Sequence, residues 1–257
     1  MPHSDAARGS AEPFDLRGGP DAVLLLHGLT GSPFEVRFLG ERLAAAGMRC
    51  RAPILAGHPD PHALARTTWR EWVAGARDEL FRLAGARRTF AAGCSMGALV
   101  ACALAHDHPD RVQGLVLLAP ALRLRAAGVL GGLLGLAPGA FLLPAIPKRA
   151  GSDVRDPEMR RLNPCMEVVP LAAVGELLRL QAEVDRRLPA VRAPALVVFG
   201  ARDHTVALAG AERLAARIGS GPARLVLLPE SWHLVGIDVE RERCAEEARR
   251  FLESIPA

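Results

Sequence analysis

Residues 89–106 read TFAAGCSMGALVACALAH: an apolar, β-prone run, then Gly93-Cys94-Ser95-Met96-Gly97, then nine residues with the alanine and leucine content of a helix. By composition alone a G-x-S-x-G match arises in roughly one of fifteen chains like this one, so the context decides its meaning. A strand that ends on the first glycine and a helix that opens on the second make a sharp turn with Ser95 at its tip. Glycine is required on both sides, because the serine backbone is strained there and strand and helix approach too closely for side chains. The pattern predicts that Ser95 is a nucleophile.

Three further stretches take up positions around it. His27-Gly28-Leu29-Thr30-Gly31-Ser32 follows the first strong strand, and a tight loop there can turn a backbone N–H toward Ser95. The N–H groups of Leu29 and Met96 are the expected oxyanion donors, an assignment that rests on position. Asp203 follows the run ALVVFGAR at what would be the C-terminal end of a strand, where open α/β sheets gather functional side chains. His233 lies just past the last apolar run, RLVLLPES, and completes the order Ser, Asp, His. His204 is a rival base, but a side chain adjacent to its own orienting acid reaches Ser95 with difficulty. His27 precedes Ser95 and reads as a structural histidine of its loop, and Cys94 as a small buried hydrophobe.

Short β-rich runs recur at 22–28, 49–55, 89–95, 112–120, 195–203 and 224–231, without clean alternation, as for strands buried on both faces. Helical spacing appears around 34–46, 69–84, 96–106, 207–218 and 240–253. Alternating strands and helices predict an α/β fold, a mostly parallel sheet with helices on both faces. The alternation breaks once, between Pro120 and Pro194, and a helical piece near 171–187 lies inside the break. The expected organisation is a core in two parts, 1–120 with the nucleophile and oxyanion loop and 195–257 with Asp203 and His233, interrupted by a cap over 121–194.

The 257 residues are 50% hydrophobic and 23% charged, enough to bury a substantial core. A net charge of +4 comes from scattered arginines, with Lys148 the only lysine, among 28 acids, and no sustained basic run points to nucleic acid. Five cysteines at wide, odd spacing form neither a disulfide framework nor a metal pattern. The polar N-terminus is not a signal peptide, and a cytoplasmic location is the expectation. Residues 126–147 carry no charge, long enough to span a bilayer but broken by five glycines and three prolines. A span there would separate Ser95 from Asp203 and His233. The segment is therefore expected to cover the site, with Leu134 and Phe141 lining an acyl channel and making transient lipid contact.

HGLTGSP at 27–33, AGH at 56–58, GCSMG at 93–97, ARDHTV at 201–206 and SWHLVGID at 231–238 together resemble the bacterial carboxylesterase and monoacylglycerol lipase branch of the α/β-hydrolases. The resemblance runs from about residue 21 to the end and is weakest in the cap. It implies the α/β-hydrolase fold, Ser95, Asp203 and His233 as the triad, Leu29 and Met96 as the oxyanion hole, no metal or organic cofactor, and acyl esters, including monoacylglycerols, as substrates. The chain departs from it in the cap segment GSDVRDPEMRR (151–161), where Arg160 and Arg161 stand in place of the acidic or neutral groups that would meet an alcohol. Acyl transfer to an alcohol, carbon–carbon bond hydrolysis and a non-catalytic binding role are the competing readings of the same constellation.

Overall fold

The six apolar runs all enter one sheet. In the computed structural model, which describes residues 9–125, 130, 133–142, 145–148 and 151–256, these strands are β2 (Asp21–Leu26), β3 (Arg49–Ala52), β4 (Arg88–Cys94), β5 (Leu115–Leu118), β8 (Ala195–Gly200) and β9 (Arg224–Leu228). A seventh, β1 (Phe14–Leu16), pairs antiparallel with β3 at one edge; its three residues are too few to carry a periodic signal. The order is β1-β3-β2-β4-β5-β8-β9, parallel from β3 onward.

Side chains in the central strands alternate between two apolar layers even though both faces are buried. Leu24, Leu26 and Ala91 join one layer, and Val23, Leu25, Phe90 and Ala92 the other. Helices α1 (Phe34–Ala45) and α8 (Arg241–Ser254) pack against each other and cover the second layer. The first layer is covered by α3 (Trp69–Phe81), α4 (Met96–Asp107) and α7 (Leu208–Arg217). The N-terminus of α3 carries a capping box, with Thr68 Oγ1 accepting from the Glu71 N–H and the Thr68 N–H donating to Glu71. Helix α2 (Pro61–Arg66) starts on Asp60, whose carboxylate takes the His62 and Ala63 N–H groups.

The insertion between β5 and β8 is not uniform. Its first part holds a helical turn at 133–135, a two-stranded ladder of β6 (Ile146–Pro147) and β7 (Val168–Val169), and the short helix α5 (Pro157–Leu162). Its last part, α6 (Leu171–Arg187), packs on α3 and α4, and Leu177, Leu180 and Val184 join the first core layer. The expectation was one cap over 121–194; within it, α6 joins the first core layer as well as belonging to the insertion. Parts of the uncharged 126–147 segment, at 126–129, 131–132 and 143–144, lie outside the described residues, as does His3. Among the described residues no helix is long and apolar enough to cross a membrane.

Candidate active site

The chain runs β2 to β3 in one direction and returns to β4 on the other side of β2, so the sheet has a switch point between β2 and β4. Loops leaving the C-terminal ends of these two neighbours diverge and leave a crevice between them. Register sets Leu26 beside Gly93, which places the 27–32 loop and the Ser95 turn side by side.

Ser95 sits at φ 55° and ψ −114°, outside the regions an L-residue prefers. The surrounding packing holds it there. A Cβ on Gly97 would fall 2.2 Å from the Leu26 carbonyl oxygen, and one on Gly93 2.2 Å from the Gly97 carbonyl carbon. Both motif glycines are there because backbone occupies the space. Met96 opens α4, so its N–H belongs to the first turn of a helix and has no intrahelical acceptor.

On the far side of β5, the adjacent strands β8 and β9 deliver Asp203 and His233. Asp203 Oδ2 accepts from His233 Nδ1 at 2.7 Å, and Asp203 Oδ1 accepts the N–H groups of Thr205 (2.7 Å) and Val206 (2.8 Å). Burial raises the Asp203 carboxyl, but the His233 charge and these hydrogen bonds prevail and hold it below 3.8. For His233, burial lowers the imidazolium, while the Asp203 charge and hydrogen bond, with Asp153 and Glu35 behind them, prevail and lift it above 6.5. With its proton on Nδ1, the ring presents Nε2 as the acceptor. The loop carrying His233 is held by two acids that follow it. Glu240 takes the N–H groups of Glu230 and Ser231, and Asp238, itself fully buried, takes the Trp232 N–H on one oxygen and those of Arg155 and Asp156 on the other.

These parts meet in a cavity of about 410 Å³ whose lining includes Gly28, Leu29, Ser95, Asp153, His204 and His233. Its apolar wall is Leu124, Val169, Val174, Leu177 and Leu234. His204 points its ring at Asp153, with Nδ1 2.8 Å from Oδ1, and packs edge-on against Trp232. Arg125 donates from Nε and Nη2 to the Asp203 carbonyl oxygen, tying the start of the insertion to the acid loop. Cys94 is buried beneath the turn, and burial, reinforced by the Glu35 charge, lifts its thiol well above the usual range. It is protonated and a poor nucleophile. Among the described residues no group of three or more His, Cys, Asp or Glu is arranged to hold a metal.

Two expectations about the cap need correcting. Leu134 and Phe141 are half-exposed, and neither lines the Ser95 cavity. For Leu134 the cause is Gly135, which sits so close to the backbone of α6 that a Cβ there would meet the Leu171 carbonyl oxygen at 1.8 Å, leaving its neighbours Leu133 and Leu134 to face solvent. Arg160 and Arg161 also lie outside the Ser95 cavity. Arg160 donates to the Val154 carbonyl and stacks on Trp232. Residues the sequence did not single out, namely Glu35, Arg125, Asp153 and Asp238, frame the cavity or its loops. Only the D-x-E pattern at 238–240, a fixed distance behind His233, could have pointed to one of them.

The model of the serine aminopeptidase S33 family of hydrolases matches residues 20–240. The chain belongs to this family. Within it, the chain is 34% identical over 245 residues to the thermostable monoacylglycerol lipase of Bacillus sp. strain H-257, covering 94% of each protein. It is 27% identical over 247 residues to the carboxylesterase of Bacillus subtilis strain 168, covering 95% of this chain and 97% of that one. Among solved structures, one from the metagenome-derived lipolytic enzymes LipS and LipT superposes with a TM-score of 0.85 at 30% identity, covering 96% of this chain and 99% of that one. The monoacylglycerol lipase of Paleococcus ferrophilus shares the fold at 20% identity, with a TM-score of 0.79 and coverage of 95% and 100%. The S33-family chain is thus an α/β-hydrolase and a serine ester hydrolase.

Proposed function

We propose that this S33-family ester hydrolase cleaves monoacyl esters, monoacylglycerols among them, with Ser95 as nucleophile, His233 as general base and Asp203 as the acid that orients it. The 2.7 Å bond between His233 and Asp203, in one cavity with a serine held at a strained turn, carries the reading. Ser95 Oγ attacks the ester carbonyl as His233 Nε2 takes its proton. The N–H groups of Leu29 and Met96 receive the developing oxyanion. His233 then protonates the leaving alcohol, and water activated by the same imidazole hydrolyses the acyl-enzyme.

The apolar wall formed by Leu124, Val169, Val174 and Leu177 supports an acyl chain as the group held, and a cavity of about 410 Å³ lies in the range of small-molecule sites. We place the first part of the insertion, 121–170, as the cap, and its exposed leucines and Phe141 as the face that meets a lipid phase transiently. The five unpaired cysteines, four of them buried, support a reducing compartment such as the cytoplasm.

A chain-length series tests the acyl assignment. Each methylene that enters the cavity gains up to ~0.8 kcal/mol, so kcat/KM rises up to about fourfold per methylene until the wall is covered. Val169→Asp flattens that series and spares acetate, whereas Phe141→Asp leaves it unchanged. A flat series in the wild type, or cleavage of aminoacyl anilides in preference to esters, contradicts the assignment.

A further inference from the structure

Glu35 stands in the first turn of α1, where an acid is favoured by the helix dipole and ordinarily remains in water. Here it is 4% exposed and lines the Ser95 cavity, and beyond a distant charge effect on His233 it has no role in the chemistry described above. Burial pushes its carboxyl up, against the pull of the Gly28 N–H, Lys148 and His233. An acid taken out of water must be compensated by specific partners.

Its partner is the oxyanion loop. Glu35 Oε2 accepts the Gly28 N–H at 2.8 Å. The space for the carboxylate is made by the loop's own glycines. A Cβ on Gly31 would fall 2.2 Å from Glu35 Oε1, and one on Gly28 would lie 3.1 Å from Oε2 and 3.3 Å from Ser95 Cβ. Neither glycine has a positive φ; the left-handed turn of the loop is taken by Thr30 at φ 61°. Gly28 and Gly31 are therefore glycines for room, and the room is filled by Glu35.

The peptide unit after Gly28 contains both the Gly28 carbonyl and the Leu29 N–H in one plane, pointing in opposite directions. The carbonyl is fixed by the Gly31 N–H at 3.1 Å and by His27 Nδ1 at 2.9 Å. His27 Nε2 accepts the Leu55 N–H at 3.1 Å, so the His27 proton is on Nδ1 and donates to Gly28. The unit before Gly28 is fixed by Glu35. With both flanking peptides held, Gly28 cannot rotate, and the Leu29 N–H has one direction.

We propose that Glu35 is a positioning residue for the oxyanion hole: its carboxylate, seated on Gly28 and Gly31, holds the Gly28 N–H and so keeps the Leu29 N–H aimed at the oxygen of a bound ester. This rests on the reading of Leu29 as an oxyanion donor. It gives the glycines of the H-G-L-T-G segment a role that their position in a loop does not by itself reveal.

The test compares three variants by kcat, KM and the affinity of a trifluoromethyl ketone, which forms a tetrahedral adduct on a serine nucleophile. Removing an oxyanion donor outright costs roughly a hundredfold to a thousandfold in kcat, so misaiming one is expected to cost about tenfold to a hundredfold. Glu35→Ala lowers kcat by that factor with KM within about twofold, and ketone affinity falls in parallel. Glu35→Gln retains kcat within about threefold, because its amide oxygen can still accept the Gly28 N–H. Gly31→Ala, which keeps the acid but displaces it, reproduces the loss. A merely structural role lowers the melting temperature and leaves kcat and ketone affinity in place, and that result in Glu35→Ala or in Gly31→Ala overturns the proposal. If Glu35→Ala fails to fold, Gly31→Ala and Glu35→Gln decide it. Labelling by a fluorophosphonate separates the two levels: a wild type that does not label at Ser95 sinks the nucleophile reading, whereas a labelled wild type with unaffected variants sinks only the role of Glu35.

Discussion

His233 carries two opposed influences, and their balance sets how activity responds to pH. Burial favours the neutral ring, while Asp203 at 2.7 Å, with Asp153 and Glu35 further off, favours the imidazolium and wins. In the proposed mechanism His233 must be neutral to take the Ser95 proton, so a raised value is expected to move the acid limb of kcat/KM above pH 6.5. The stability linked to the protonated ring has the opposite sense: it is fully present below the unfolded value and is lost as pH rises through the folded one. Asp153→Asn removes one of the supporting charges without touching Ser95, His233 or Asp203, and is expected to move the limb downward. A wild-type limb below pH 6.5, or one that Asp153→Asn leaves in place, speaks against this balance. Order in the chain and positions at strand ends single out Ser95, Asp203 and His233 in the sequence, and the structure bonds His233 to Asp203 at 2.7 Å and sets Ser95 and His233 on one cavity. Glu35 was hidden by the same logic, since an acid in the first turn of a helix is what solvent exposure also produces. Only the packing of α1 under the 27–32 loop shows that it is buried.

At the scale of elements, the contact between β2, the Ser95 turn and α4 is a close backbone approach on which the site depends. Gly97 has the Leu26 and His27 carbonyl oxygens at 2.2 and 2.6 Å from where a Cβ would stand, and backbone cannot step aside as a side chain can. Gly97→Ala is expected to cost about 3 kcal/mol or more in a urea unfolding titration, or to prevent folding. A midpoint within experimental error of the wild type would mean that α4 can slide, and the strained turn would lose its support. Long apolar strands and helices such as β4 and α4 announce themselves in the sequence by composition and length. The short elements β1, β6, β7, α2 and α5 do not, because they carry no sustained apolar run of their own and exist through their partners. Helix α6 was legible as a helix, but its spacing could not say that its apolar face meets α3 and α4 rather than a separate cap. The placement of Leu134 and Phe141 failed for a related reason: an uncharged stretch says that something apolar is near, not which face of it points inward.

For the molecule as a whole, the charge balance explains why a basic protein carries no basic run. All but one of the 32 cationic residues are arginine, and many of them are spent locally on acids, as in Arg249 with Glu246 and Glu253, Arg213 with Asp185, and Arg49 and Arg51 with Asp15. Pairs as exposed as Arg249 with Glu253 add little stability one by one, but they break up positive potential over the surface. Beneath that surface the sheet gathers four separated stretches of sequence, near residues 28, 95, 203 and 233, around one cavity. The central claim is that this cavity activates Ser95 through His233 and Asp203. Reaction with a fluorophosphonate, followed by tandem mass spectrometry of the digested protein, tests it most directly. One adduct per chain, on Ser95, absent in Ser95→Ala and much slower in His233→Ala, is the predicted result. Adducts on Cys94 or Ser231, or labelling that survives Ser95→Ala, would contradict it.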